Sequence, residues 1–199
     1  MKKFLLIFSL LLFLIPFLET AVFAKDSPKV AIVIAQHGFR EEELFEPKKI
    51  LEKHGFQVDV VSIKQGKATG MFGTEIQVSK TLSDINPNKY LALLIAGGVG
   101  APKYLWGNKT LISLVKEFYK ENKVVGAICL SPVVLAQAGI LKGKKATCWP
   151  AEAAIEELKK YGAIYDPRGV IVQGKIITAK SPDYAKEFAK EILRLLQRR

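Results

Sequence analysis

Cysteine and histidine are scarce in this chain: each occurs twice in 199 residues, as Cys129 and Cys148 and as His37 and His54. Two cysteines cannot staple a small disulfide scaffold, and none of these residues has the spacing of a zinc site. Neither a metal nor a cofactor is expected. Acidic residues are short too, 19 against 30 lysines and arginines, for a net charge of +11. The lysines are scattered over helix faces and turns, not gathered with arginine and aromatic side chains. The excess therefore reads as a solvated surface, and no nucleic-acid partner is expected. Internal repeats and low-complexity linkers are absent.

Long apolar runs are missing except at the start. After Met1-Lys2-Lys3 comes "FLLIFSLLLFLIPFL", 15 uncharged residues, and then Val22-Phe23-Ala24. A basic start, an apolar middle and small residues before a cut make residues 1–24 a secretory signal peptide, cleaved after Ala24. The rival reading is an uncleaved anchor, but the run is short of the roughly 20 residues a span needs and Pro16 interrupts it. With Lys2 and Lys3 leading, the body lies outside the cytoplasm in either case, periplasmic or extracellular. Membrane contact would come only through an uncleaved leader. Cleavage removes two lysines and one glutamate, so +11 becomes +10. Residues 25–199 suffice for one core-bearing domain.

Strand and helix patterns alternate along that domain. Lys29–Ala35 is a buried strand followed by a turn at His37-Gly38, and a helix from Glu41 to His54 stops at Gly55. Gln57–Ile63 alternates as a second strand, and Lys64–Lys80 suggests a small hairpin or edge excursion. Tyr90–Gly98 is a core strand opening into a glycine loop. A helix near Thr110–Glu121 precedes the strand that ends at Cys129. Lys144–Trp149 is a short strand, Ala151–Gly162 a helix, Gly169–Ala179 a hairpin turning at Gln173-Gly174, and Asp183–Gln197 a last helix. The pattern predicts an α/β fold, a three-layer doubly wound sandwich with a mostly parallel, flavodoxin-like sheet and helices on both faces.

Ligands of such sheets sit beyond the carboxyl ends of the strands. Three segments converge there: "AQHGFREEE" with its acids, "AGGVGAP" with flexible amides, and "ICLSP" with a thiol on a strand-to-helix bend. Cys129 on that bend has the placement of a nucleophile elbow, and a helix N-terminus would lower its pKa. Its plain alternative is a small buried hydrophobe. Gly97 and Gly98 could aim amides at a developing oxyanion, together with the backbone of Leu130. Glu41, Glu42 and Glu43 all suit a helix start. His37 could reach the cleft mouth or stay solvated, and His54 suits the C-terminal dipole of its helix. Tyr104 and Trp106 are candidates for a cleft wall, a dimer contact or core. Cys148 reads as core, with a bridge to Cys129 as the alternative that an oxidising compartment permits.

These residues carry a resemblance to the DJ-1/PfpI family, whose members include an intracellular protease and a parkinsonism-associated deglycase. "AICLSPVVLAQAGILKGKKAT" resembles the family's elbow, helix and following strand, and "LLIAGGVGAP" its Gly-Gly loop. "EELFEPKKILEKHGFQVDVVS" resembles its first helix, with Glu43 four residues before Pro47 and twelve before Gly55. The resemblance implies a class I glutamine amidotransferase-like fold, Cys129 as the reactive thiol, and Glu43 as the protonated carboxyl that touches it. It also implies a homo-oligomer. Departures are informative. The family's histidine after the cysteine is Leu130 here, which can neither take nor give a proton, so peptidase activity is not expected. Trp149 stands where the family often has histidine or tyrosine beside the cleft, and Lys180 where relatives tend to have arginine. Two functions stay open: a thiol enzyme or redox protein acting on small reactive carbonyls, their adducts or oxidants, and a non-catalytic binding or chaperone-like stress-protection module whose site has decayed.

Overall fold

The computed structural model describes residues 27–198. The signal peptide expected over 1–24 lies outside the described residues. Among the described residues no helix is long and apolar enough to cross a membrane.

Short runs rich in apolar and β-branched residues form the centre, as befits strands covered on both faces. They are β1 (Lys29–Val33), β3 (Gln57–Ser62), β7 (Ala92–Ile95), β8 (Val124–Ile128) and β12 (Ile176–Ala179), with β2 (His37–Phe39) set apart. Shorter pieces are β4 (Gly66–Gly70), β5 (Glu75–Val78), β6 (Lys80–Thr81), β9 (Lys145–Ala146), β10 (Ile164–Tyr165) and β11 (Val170–Gln173). The main sheet runs β11-β12-β8-β7-β1-β3-β6. All its pairs are parallel except β11 with β12, the hairpin turning at Gly174. The chain moves from β1 outward to β3 and β6, then returns to β7 on the other side of β1. That reversal opens a crevice at the carboxyl ends of β1 and β7, beside β8.

Among the described residues six α-helices complete the layers: α1 (Glu41–Lys53), α2 (Ala101–Tyr104), α3 (Lys109–Lys120), α4 (Pro132–Gln137), α5 (Glu152–Lys160) and α6 (Ala185–Gln197). Successive β1 side chains point to opposite faces. Ala31 and Val33 join Leu111, Phe118, Val133 and Leu158 under α3, α4 and α5. Val30 and Ile32 join Leu44, Leu51, Phe188 and Ile192 under α1 and α6. Each face thus has its own buried apolar layer, and the expected three-layer sandwich is what forms.

Local departures have local causes. The bend expected at His37-Gly38 is instead β2, because β4 arrives to pair with it in parallel. The excursion over 64–80 is the hairpin β4–β5, whose tip carries Met71 and Phe72. The strand expected over Lys144–Trp149 shortens to Lys145–Ala146. Beyond it the chain gives its hydrogen bonds to β12 and to the elbow, Thr147 N to Thr178 Oγ1 at 3.0 Å and Trp149 N to Cys129 O at 2.8 Å.

Candidate active site

Cys129 follows the last residue of β8 with φ +63°, a left-handed conformation that costs a residue with a Cβ roughly 1–2 kcal/mol. Its neighbours hold it there. Cys129 N donates to Ala179 O at 2.9 Å, prolonging the ladder to β12, and Cys129 O accepts from Trp149 N. Ser131 Oγ donates to Ala96 O at 2.7 Å, and Trp106 Nε1 donates to Leu130 O at 2.9 Å. The expected nucleophile elbow is present, and Trp106 is part of its frame.

Glu43 stands in the first turn of α1. Four residues on, Pro47 has no N–H to give its carbonyl, so this turn is released from the regular ladder. The Glu43 side chain is 1 % exposed, and Oε2 accepts from Gly97 N at 2.7 Å. Oε1 is left without a hydrogen-bond partner, and the Cys129 thiol lies near enough to the carboxyl that each group shifts the other's proton affinity. Gly97 makes the approach possible. A Cβ there would lie 2.7 Å from Ile128 O, 2.8 Å from Cys129 Cβ and 2.9 Å from Glu43 Oε2. Gly98, at φ +100°, turns its own N–H to the sulfur, as does Leu130.

One expectation is corrected here. Gly97 does not offer its amide to an oxyanion, because Glu43 already holds it; the amides that face the Cys129 sulfur are those of Gly98 and Leu130. A second concerns the thiol. The helix after the elbow is only six residues long and too short to impose a low pKa, whereas burial pushes Cys129 up to about 12. The Glu43 charge is the next cause. Burial also raises Glu43, to about 7, against the Gly97 and Cys129 contacts that lower it. The pair competes for one proton, since two anions do not coexist in so dry a place. Once the carboxyl holds that proton its repulsion is gone, and a thiolate has the Gly98 and Leu130 N–H groups and the Glu43 O–H to receive its charge.

Above the sulfur opens a cleft of about 320 Å³, lined by Arg40, Met71, Gly98, Val99, Cys129, Leu130, Trp149, Pro182 and Asp183. Trp149 faces it as expected and Lys180 does not. His37 is not in its lining; the ring leans on Tyr104, with centroids 5.9 Å apart, outside the cleft. His54 caps α1, Nδ1 lying 2.8 Å from Ile50 O. Glu41 is more than a helix-start charge. It is buried, and Oε1 accepts from Phe72 N at 2.8 Å, tying the β4–β5 tip down beside the cleft. Cys148 lies under α4 and α5, in the layer opposite that of Cys129, and both thiols are free.

The residue that sequence reasoning passed over is Arg40. Its guanidinium reaches Glu42 through Nε and Nη2, at 2.8 and 3.0 Å, and stacks 4.4 Å above the Phe72 ring. The charge of Glu42 is thereby spent on Arg40. The signal was an arginine placed between the apolar Phe39 and the three acids. Its meaning depended on the β4–β5 tip, some thirty residues later.

Known proteins place the chain. The model of the DJ-1/PfpI family matches residues 28–195. A protein of uncharacterised function from Methanocaldococcus jannaschii is 61% identical over 170 residues, 85% of this chain and 83% of the relative. Protein/nucleic acid deglycase 2 of Escherichia coli is 31% identical, over 85% of this chain and 98% of the relative. A ThiJ/PfpI domain protein from Brachyspira murdochii superposes with a TM-score of 0.81 at 29% identity, covering 87% of this chain and 98% of that one.

Proposed function

The chain belongs to the DJ-1/PfpI family, and from that premise we propose that it is a cysteine-dependent enzyme of small reactive carbonyls and their adducts, deglycase-like in its chemistry. The observation that carries the reading is the buried pair of Cys129 and Glu43, with the Gly98 and Leu130 amides turned to the same sulfur. A thiolate there attacks an electrophilic carbonyl carbon, a C–S bond forms, and the carbonyl electron pair moves to oxygen. Glu43, which burial keeps protonated up to about pH 7, supplies the proton that oxygen takes. Relatives named as deglycases support the class of reaction.

Peptide cleavage fits the site poorly. An amide leaving group needs a proton donor beside the sulfur, and Leu130, which follows the cysteine and lines the cleft, has no proton to give. We further propose that the enzyme works outside the cytoplasm, on the strength of the basic start and apolar run in residues 1–24. N-terminal sequencing of the protein from its native host tests that, with a first residue at Lys25 as the expected outcome. For the activity itself, purified protein is incubated with amino acids pre-treated with methylglyoxal, and recovery of the free amine is followed by mass spectrometry. Recovery that Cys129→Ser abolishes is expected; equal recovery with the variant would leave a binding or protective role as the surviving reading.

A further inference from the structure

The cleft is not electrically neutral along its length. Of the described residues lining it, Arg40 is the only cation and Asp183 the only anion. Arg40 is unusually fixed for a long side chain. One edge of the guanidinium is clamped by Glu42 and one face rests on Phe72, itself held by the Glu41 carboxylate through its backbone N–H. Among the described residues nothing accepts a hydrogen bond from Nη1, so that nitrogen remains free to donate. An arginine so constrained has little entropy left to lose when it binds an oxyanion, and its planar N–H groups match a carboxylate. Arg40 lines the same cleft as Cys129, and its charge lowers the proton affinity of Glu43.

Resting on the reading that Cys129 attacks a carbonyl carbon, we propose that the cleft selects carbonyl compounds that bear a carboxylate, 2-oxo acids such as glyoxylate and their amine adducts, with Arg40 receiving the carboxylate. A neutral 2-oxoaldehyde makes no use of a fixed guanidinium. A 2-oxo acid has its carboxylate one bond from the carbon that sulfur attacks, so one ligand engages Arg40 and Cys129 together. Asp183 limits the choice: it disfavours a second carboxylate and suits the amine of an adduct. In the first step the thiolate adds to the aldehyde carbon, the π pair moves to oxygen, and the Glu43 proton follows. The products are a hemithioacetal with an uncharged hydroxyl, anionic only through its carboxylate, and an ionised Glu43.

The test uses two alkylating agents of nearly equal size, anionic iodoacetate and neutral iodoacetamide, on the purified full chain, with Cys129 modification followed by mass spectrometry. The readout is the ratio of their rates, which cancels changes in thiol reactivity common to both. Arg40→Gln is expected to lower the iodoacetate to iodoacetamide ratio about tenfold, the scale of one charged hydrogen bond. Arg40→Lys should retain part of it and Asp183→Asn should raise it. The same ratio in Arg40→Gln as in the wild type overturns the proposal. If that variant does not fold, an unchanged ratio in Asp183→Asn overturns the picture of a polarised cleft. Saturation with glyoxylate and methylglyoxal completes the test: Arg40→Gln should raise KM for the acid more than for the aldehyde. An Arg40-dependent ratio without any carbonyl turnover upholds the carboxylate site and removes the enzymatic reading. Turnover with a ratio indifferent to Arg40 does the reverse.

Discussion

Cys129 and Cys148 are two buried thiols on opposite faces of one sheet, and burial pushes both up to about 12. For Cys148 burial is the whole account. No carboxyl and no backbone N–H is among the causes of its raised proton affinity, and it is core packing in the ordinary sense. Cys129 differs in what surrounds the same desolvated sulfur: a carboxyl that gains or gives up a proton near neutrality, and two backbone N–H groups. Desolvation alone makes a thiol inert. With a proton-holding partner beside it, the same desolvation strengthens every contact that the anion makes. The reactivity proposed for Cys129 is a property of the pair.

That contrast is open to direct attack. The largest effect expected is from Cys129→Ser, which should reduce adduct removal by about three orders of magnitude, assayed as release of free amine. Glu43→Gln comes next. It preserves shape and can still donate a hydrogen bond, but it has no proton to transfer, so turnover should fall about a hundredfold. The variant should also lose the pH dependence near 7 in the rate of Cys129 alkylation. An unchanged profile would dissolve the distinction between the two thiols.

The third test is stability against pH. Glu43 has a folded pKa of about 7 against an ordinary 4.5, so the folded protein binds this proton more tightly than the unfolded chain. Its contribution is complete below 4.5 and is lost as the pH rises through 7. Urea unfolding of the wild type should therefore show stability falling over that window by about 1–3 kcal/mol, a slope that Glu43→Gln removes. The smallest effect belongs to Cys148→Ala. It should cost about 1 kcal/mol for the small void it leaves and leave the alkylation rate of Cys129 as it was.

Much of this was legible beforehand because it is written locally. Apolar runs ended by glycine and proline foretold the order of strands and helices, and a cysteine between a buried strand and a proline-led helix foretold the elbow. Glu43 was marked by its distance to Pro47 and Gly55, a spacing within one helix. What was hidden depends on pairings between distant segments. Arg40 enters the cleft only because the β4–β5 tip lies beside it, and Glu41 is buried for the same reason. Gly97 was assigned to the right place with the wrong partner, since no local pattern says whether an amide faces substrate or a neighbouring carboxyl. Helix α4 was correctly foreseen, but its six residues could not outweigh the desolvation of the sulfur.

Gly97 also constrains how a protein of this design can change. A single methyl group there would press on the nucleophile's Cβ, the acid's oxygen and the strand carbonyl before the elbow, all at once. Mutation therefore has no gradual path through that position: the reacting pair is inherited whole or lost. The rim is under no such restriction. Phe72 and Val99 are each 65% exposed, and Trp149 is 43% exposed. Those side chains can be exchanged one at a time while the carboxyl and the sulfur keep their positions. On the proposed function, such a molecule can drift among substrates across generations while its chemistry stands still.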